Sequence, residues 1–142
     1  MATKAETVTG FLWPVRVYYE DTDSGGVVYY ANYLKFMERA RTEWLRHLGF
    51  AQDELAAREN VIFAVRRAEV DYLRPARFND ALEIRSTIVE RGRASLTFEQ
   101  QITKPANKGE LLCSGRIRVA CIDATSFRPR PLPEILRNQL TE

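Results

Sequence analysis

The sequence is poor in histidine and cysteine, the side chains on which many enzymes depend. Its 142 residues include one histidine, His47, and two cysteines. A single histidine excludes the paired-histidine HExxH zinc site and other multi-histidine metal centres. The sequence also lacks a GxSxG hydrolase elbow and the glycine-rich GxxxxGK and GxGxxG nucleotide loops. Any catalysis must therefore use carboxylates, backbone amides and the substrate itself, and we expect neither a metal nor a cofactor.

Long apolar runs and a marked excess of one charge are absent as well. No stretch of 18 apolar residues occurs, and no apolar segment follows Met1, so we expect no membrane span, no signal peptide and a cytoplasmic location. The formal net charge is +2, which is too small to indicate a nucleic acid or an anionic membrane as a partner. Cys113 and Cys121 lie in one strand-like run, too far apart to bond, and are expected to be buried thiols of a reducing compartment.

The sequence does contain one strong helical pattern. Apolar residues recur at helical spacing from Tyr33 to Leu48, with Asn32 as the expected N-cap and Gly49 just past the end. Alternating patterns predict strands at residues 12–20, 61–73, 81–90, 94–103 and 111–122, and short helical segments are predicted at residues 53–59 and near the C-terminus.

These patterns predict a single domain over residues 12–142 that follows a flexible tail over residues 1–11. The connections between the later strands are short, whereas a parallel crossover needs a dozen or more residues, so neighbouring strands should be antiparallel. We therefore predict an α+β fold in which one long helix packs against an antiparallel five-stranded sheet. Such a sheet has open edges, which makes pairing with a second copy a reasonable hypothesis.

An acidic, glycine-rich turn directly precedes the long helix. Glu20, Asp21 and Asp23 crowd this turn, and the uncharged residues 27–30 follow it. Acids before a helix are common caps and turn formers. The alternative is chemical, because a carboxylate beside a pocket and the free amides of a helix N-terminus suits acyl transfer. The carboxylate would attack or activate water, and the amides would stabilise the oxyanion.

A family resemblance bears on this choice. The pattern Y-x-D-T-D-x-x-G-V-V-Y over residues 19–29, together with Tyr33 and the sequence ERARTE over residues 38–43, resembles the Tol-Pal-associated (YbgC-like) acyl-CoA thioesterases of the hydroxybenzoyl-CoA thioesterase group. The resemblance runs from about Trp13 to Leu136. It implies the hotdog fold, in which the sheet wraps around the helix, and hydrolysis of acyl-CoA or acyl-carrier-protein thioesters. It also implies a homo-oligomer, a dimer of dimers with active sites between subunits, and a peripheral link to envelope or phospholipid-synthesis proteins.

The resemblance assigns roles to individual residues. Asp23, the second aspartate of D-T-D, corresponds to the catalytic nucleophile or general base, and the backbone N–H of Tyr30 to the oxyanion donor. Many close relatives have histidine at the position of Tyr30, which leaves the acyl preference open between aliphatic and aromatic groups. The implied substrate-binding residues are Val27, Tyr33, Arg93, Ser95 and Arg128, and the arginines among them would contact the phosphates of coenzyme A.

Other functions and roles remain open at the level of sequence. The main alternative is a non-catalytic acyl-CoA-binding or scaffold module of the same fold, since the pocket contains no histidine. A hotdog dehydratase would use a catalytic histidine, and His47 lies at the far end of the helix. Glu38, Arg41 and Glu43 are expected to form a solvated or interface face of the helix.

Overall fold

The computed structural model describes residues 10–140. The strands are β1 (Gly10–Arg16), β2 (Val61–Tyr72), β3 (Ala81–Arg91), β4 (Ser95–Lys104) and β5 (Glu110–Asp123), and the helices are α1 (Tyr30–His47), α2 (Gln52–Glu59) and α3 (Glu134–Gln139). All neighbouring strands are antiparallel in one sheet of order β1-β3-β4-β5-β2. The predicted α+β class, with one long helix and five antiparallel strands, is confirmed.

The core lies between α1 and one face of the sheet. Four α1 residues at helical spacing, Phe36, Met37, Ala40 and Trp44, are almost fully buried. They join buried side chains of the central strands, including Ile84, Ile102 and Ile117, in a single apolar cluster. Burial of this helical stripe is the main reason why the segment folds as a helix against this sheet, because hydrophobic burial is the dominant favourable term in folding.

The start of α1 differs from the sequence expectation. The helix begins at Tyr30, and its N-cap, Tyr29, provides no side-chain cap. Asn32, the expected cap, lies inside the first turn, where its Nδ2 donates to the carbonyl of Asp21 at 2.8 Å. The Asn32 side chain thus bonds to the acidic turn instead of capping the helix, and the helix begins one turn earlier than expected.

The end of α1 follows the prediction. Gly49 lies just past the helix with φ +98°, a left-handed conformation that glycine adopts without steric cost. Its amide donates to the carbonyl of Arg46 at 3.0 Å, and the Phe50 amide donates to Leu45 at 2.8 Å. These two bonds form a Schellman motif, which satisfies carbonyls that the helix leaves without partners.

The first strand is displaced relative to the prediction. It begins at Gly10 rather than at residue 12, because Phe11 buries its ring against Trp44, with a centroid distance of 6.0 Å. Gly10 and Phe11 therefore belong to the domain and not to the tail, whose remaining residues 1–9 lie outside the described part of the chain. The strand ends at Arg16, since the chain turns into a short 3₁₀ segment over Tyr19–Asp21.

The two cysteines lie in β5 and are both buried, as predicted. Burial raises the pKa of Cys113 to about 12 and that of Cys121 to about 11. Both thiols are therefore protonated near neutral pH.

Within residues 10–140, no helix has the length and apolar character that a membrane span requires.

Candidate active site

The turn that contains Asp23 is a closed hairpin held by its own backbone. The Asp23 amide donates to Val27 at 2.9 Å, and the Gly26 amide donates back to the Asp23 carbonyl at 3.0 Å. Thr22 and Val28 pair beyond them. Gly26 has φ +81°, which a residue with a side chain rarely adopts, so glycine is needed here. The hairpin fixes the position of Asp23 relative to the helix that follows.

The two aspartates of the D-T-D sequence have different environments. Asp21 is 7% exposed, and its Oδ2 accepts the Tyr18 amide at 2.8 Å, so it helps to build the turn. Asp23 is exposed, and its Oδ1 accepts the Gly25 amide at 2.8 Å. Within residues 10–140 its Oδ2 has no hydrogen-bond partner and no cation within ion-pair distance. Of the two carboxylates, only that of Asp23 is free to meet a substrate or a water.

Helix α1 begins at Tyr30, seven residues after Asp23. The Tyr29 amide donates to the Asp21 carbonyl at 2.9 Å, which fixes the entry to the helix. In the part of the chain that the structure describes, the amides of Tyr30 and Ala31 have no hydrogen-bond partner. They lie at the positive end of the helix dipole. The Tyr30 N–H is thus free within the described chain, which its predicted role as an oxyanion donor requires.

A pocket of about 200 Å³ opens beside this helix start, and we call it the tyrosine pocket. Its lining comprises Val28, Tyr30, Tyr33, Tyr72, Leu73, Arg74 and Pro75. The ring of Tyr72 lies between the other two tyrosines, 6.0 Å from the Tyr30 centroid and 5.5 Å from that of Tyr33. Partial burial raises the pKa of Tyr72. Tyr72 could not be recognised as a pocket residue from the sequence, because an aromatic residue at the end of a strand is ordinary.

The two predicted apolar contacts, Val27 and Tyr33, are placed differently. Val27 is half-buried in the Asp23 hairpin, where it pairs with Arg77. Tyr33 borders the tyrosine pocket but is only 3% exposed, and its hydroxyl accepts the buried Ala76 amide at 3.0 Å. Burial raises the pKa of Tyr33. Its hydroxyl is therefore used within the fold, which leaves the ring edge for contact with a ligand.

The predicted coenzyme A residues lie at the other end of the sheet. Ser95 pairs with β5 at the same level as Ala64 of β2, whereas the tyrosine pocket is at Tyr72, eight residues farther along. At 3.3 Å per residue this is about 25 Å. Arg93, in the hairpin before β4, and Arg128, after β5, are both exposed near the Ser95 end. One copy of the chain does not bring these three residues to Asp23.

Two further residues were assigned from the sequence. Arg41 is only 9% exposed and lies against the inner face of the sheet, so the expectation that it is solvated was wrong, whereas an interface role stays a prediction. His47 ends α1, far from the Asp23 hairpin, and its ring lies 5.6 Å from that of Phe11. Among the described residues, no three histidine, cysteine, aspartate or glutamate side chains come together as metal ligands would.

Comparison with known proteins extends along almost the whole described chain. The family model of the thioesterase-like superfamily matches residues 17–140. An acyl-CoA thioester hydrolase YbgC from Escherichia coli O6:H1 is 51% identical over 126 residues, which are 89% of this chain and 92% of that protein. A probable thioesterase structure from Bartonella henselae is 36% identical, with a TM-score of 0.81, over 87% of this chain and 99% of the other.

A more distant structure supports the architecture. A 1,4-dihydroxy-2-naphthoyl-CoA thioesterase from Synechocystis has a TM-score of 0.85 at 24% identity, and the match covers 92% of this chain and 95% of the other. At this level of identity the likeness shows the fold alone. The sheet that wraps one long helix is thus shared between sequences that have diverged widely.

Proposed function

The chain belongs to the thioesterase-like superfamily as a YbgC-like acyl-CoA thioesterase of the hotdog fold, and on that premise we propose that Asp23 and the start of α1 form its catalytic centre. The observation that carries this proposal is the pairing of a free carboxylate, fixed in a closed hairpin, with an uncapped helix N-terminus directly after it. The reaction converts a thioester and water into a carboxylic acid and a thiol.

Two chemical routes are compatible with this arrangement. As a general base, Asp23 would take a proton from a water whose oxygen attacks the thioester carbon, and would return it to the departing thiolate. As a nucleophile, Asp23 would form a mixed anhydride and expel the thiolate, and water would then cleave the anhydride. In both routes the Tyr30 N–H stabilises the tetrahedral oxyanion, where one such donor is typically worth about 3–4 kcal/mol.

An isotope experiment separates the two routes. We would hydrolyse substoichiometric acyl-CoA in ¹⁸O-water and analyse the Asp23 peptide by mass spectrometry. The nucleophilic route leaves ¹⁸O in the Asp23 carboxylate whenever water attacks the aspartyl carbon of the anhydride, whereas the general-base route leaves the peptide unlabelled. Incorporation of ¹⁸O would therefore establish the covalent intermediate.

The substrate carrier in this proposal is coenzyme A or acyl carrier protein. The name of the Escherichia coli relative favours coenzyme A. Arg93 and Arg128 are exposed cations of the type that binds phosphates, and Ser95 lies beside them at the start of β4. The proposal retains the cytoplasmic location and the peripheral link to envelope or phospholipid-synthesis proteins that the resemblance implies.

We further propose a homodimer that pairs the β2 strands of two copies, with two dimers associating as a tetramer. β2 has twelve residues and, within residues 10–140, pairs only with β5, which leaves its other edge open there. The strand ends in the exposed Tyr72, which the exposed Leu73 follows. Antiparallel pairing of the two β2 strands would set the Ser95 end of one copy beside the tyrosine pocket of the other. In this arrangement Asp23 of one copy would share a site with Arg93 and Arg128 of the other copy.

The substitution Asp23→Asn tests the catalytic assignment. It preserves the oxygen that accepts the Gly25 amide but removes the charge, so we expect kcat to fall by roughly 100-fold or more with little change in Tm. Activity is measured as coenzyme A thiol release over a panel of acyl-CoAs. The matched control is Asp53→Asn, another exposed aspartate whose Oδ1 accepts a neighbouring amide, that of Glu54 at 2.9 Å.

Two results would contradict the proposal. Full activity in Asp23→Asn would remove Asp23 from the chemistry. Tight acyl-CoA binding by the wild-type protein without turnover of any panel member would instead favour the non-catalytic binding module.

A further inference from the structure

A second pocket lies farther along α1, between this helix, α2 and the inner face of the sheet. It has a volume of about 110 Å³. Most of its walls are apolar and come from Leu45, Phe63, Leu96, Phe98 and Val119. Arg41 lines the same space, and we call it the Arg41 pocket. It shares no residue with the tyrosine pocket.

Arg41 is a buried cation whose protein partner is neutral. Its side chain is 9% exposed, and Nη1 donates to Oε1 of Gln100 at 2.9 Å. Gln100 is fully buried and donates in turn to the Met37 carbonyl and to the Ser86 hydroxyl, each at 2.9 Å. All the polar atoms of the amide are thus engaged. Gln100 fixes the guanidinium in one orientation without neutralising it.

The remaining N–H groups of the Arg41 guanidinium are available to a ligand. Across residues 10–140 no carboxylate lies within 4.0 Å of Arg41 as an ion pair, and its other N–H groups have no hydrogen-bond partner. In the described chain none of these nitrogens is fully buried without a partner, so each keeps some accessible surface. Arg41 lines the pocket, which places its guanidinium group beside this space. Burial lowers the pKa of Arg41 to about 10, yet it stays charged near neutral pH.

One acidic residue, Glu38, also borders the Arg41 pocket. Its carboxylate accepts a hydrogen bond from the Thr42 hydroxyl at 2.6 Å, and that hydroxyl accepts one from the side-chain Nε2 of Gln52 at 3.0 Å. Glu38 is exposed, and its effect on the pKa of Arg41 is smaller than the effect of burial. The pocket therefore keeps a positive centre within apolar walls and an acidic, hydrogen-bonded group nearer to solvent.

We propose that the Arg41 pocket binds a small aliphatic carboxylate. The guanidinium presents a planar fork that matches a carboxylate, and the bond is stronger where water is excluded. The apolar walls accommodate a short hydrocarbon chain, and the volume limits its length. No other charged ligand of this size combines both features as well, because a phosphate or a sulfate has no apolar portion to cover the walls.

Such a carboxylate has two sources. It is either a free short-chain acid, the class of product that thioester hydrolysis releases, or the distal carboxylate of an acyl group that is still attached to coenzyme A. The positions of Arg41 and Tyr30 are eleven residues apart along α1, or about 16 Å, so within one chain the Arg41 pocket is separate from the proposed oxyanion donor.

The binding experiment uses the full-length wild-type protein. Butyrate is titrated calorimetrically, with butyramide as an uncharged ligand of the same size, and we expect butyramide to bind roughly tenfold more weakly or worse. Arg41→Gln should weaken butyrate to a similar degree, and Arg41→Lys, which keeps the charge without the fork, should lie between. Arg39→Gln, an exposed arginine on the same helix, is the matched control and should bind butyrate as the wild type does.

A second measurement identifies the source of the carboxylate. The KM for dodecanedioyl-CoA, whose acyl chain is long enough to span the distance between Tyr30 and Arg41, is compared with that for dodecanoyl-CoA in the wild type and in Arg41→Gln. If the distal carboxylate is the ligand, Arg41→Gln raises the KM for dodecanedioyl-CoA by about tenfold and leaves dodecanoyl-CoA unchanged. If free acid is the ligand, butyrate binds and neither KM responds to the substitution.

The outcomes are separate from those of the catalytic proposal, because butyrate binding needs no turnover and involves neither Asp23 nor Tyr30. Equal binding of butyrate and butyramide, or no butyrate binding together with an unchanged dodecanedioyl-CoA KM, overturns the inference. A shift of oligomeric state in Arg41→Gln without any effect on either ligand also overturns it, since the partner of Arg41 would then be a second copy of the chain.

Discussion

At the scale of single residues, burial rather than residue type separates the groups that build the fold from those that are free to contact a ligand. Asp21 and Asp23 are two residues apart, yet the first is buried with a backbone amide on its carboxylate and the second is exposed. Tyr33 and Tyr30 show the same division. The hydroxyl of Tyr33 accepts the Ala76 amide, whereas Tyr30 contributes a ring and a free amide at the helix start.

The two tyrosines should therefore respond differently to the loss of a hydroxyl. Tyr33→Phe leaves the buried Ala76 amide without a partner, so we expect it to reduce the free energy of unfolding by about 1–3 kcal/mol. Tyr30→Phe keeps the backbone N–H and should leave kcat within about twofold of wild type. Denaturant unfolding and acyl-CoA hydrolysis test the pair. A large loss of kcat in Tyr30→Phe would assign chemistry to the phenol.

The buried thiols provide a test of residue environment as well. The pKa values of Cys113 and Cys121 are raised to about 12 and about 11, and a raised thiol pKa means that the reactive thiolate is scarce at the pH of an assay. We expect a disulfide reagent to label essentially neither cysteine in the folded protein at pH 8 and both after unfolding. Rapid labelling of the native protein would show that β5 opens readily.

Some residues of the proposed sites could be recognised in the sequence and others could not. Asp23 could be proposed because an acidic turn beside a helix start is a local pattern. Arg41 could not be placed, since its fixing partner Gln100 is 59 residues away and charged residues are rarely buried. Tyr72 gave no signal for the same reason, because its neighbours Tyr30 and Tyr33 come from another element.

At the scale of elements, the two ends of α1 follow opposite rules. The C-terminal end has a complete Schellman motif built on Gly49, and its position was predicted because glycine past a periodic run is a reliable stop signal. The N-terminal end has no side-chain cap. Its position was missed because Asn32, a good capping residue, donates its side-chain hydrogen bond to the Asp21 carbonyl instead. The rule failed at the end where the chemistry is proposed.

The Schellman motif makes a quantitative prediction. Gly49→Ala forces a side chain into φ +98°, so we expect the free energy of unfolding to fall by about 1–2 kcal/mol without loss of specific activity. Gly10→Ala is the control, because its added Cβ would meet only atoms at 3.7 Å or more. An equal loss in both variants would show that the cost comes from something other than the left-handed backbone.

At the scale of the whole molecule, the proposed site is divided between two ends of one sheet. Alternation in the sequence predicted five strands, and the short connections predicted that neighbours are antiparallel. Neither feature showed which strand lies at the edge. That order, with β2 at the edge, sets Tyr72 and Ser95 about 25 Å apart in one copy. A second copy paired through β2 is our explanation of how a substrate could reach both ends.

Mixing two inactive variants tests this arrangement. Asp23→Asn should lack the carboxylate, and the double variant Arg93→Glu, Arg128→Glu should lack coenzyme A binding. If each site combines both chains, a heterodimer has one intact site, and an equal mixture should recover about a quarter of the wild-type kcat/KM. Native mass spectrometry confirms that the heterodimers form. No recovery in their presence would place the whole site within one chain.

The closed hairpin around Asp23 also has an energetic consequence for turnover. The amides of Asp23, Gly25 and Gly26 already bond within the turn, so we expect its backbone to need little further ordering when a thioester binds. Preorganisation of this kind places the cost of alignment in folding rather than in each catalytic cycle. The activation entropy should accordingly be small, and the rate should rise with temperature along a straight Arrhenius line until the protein begins to melt.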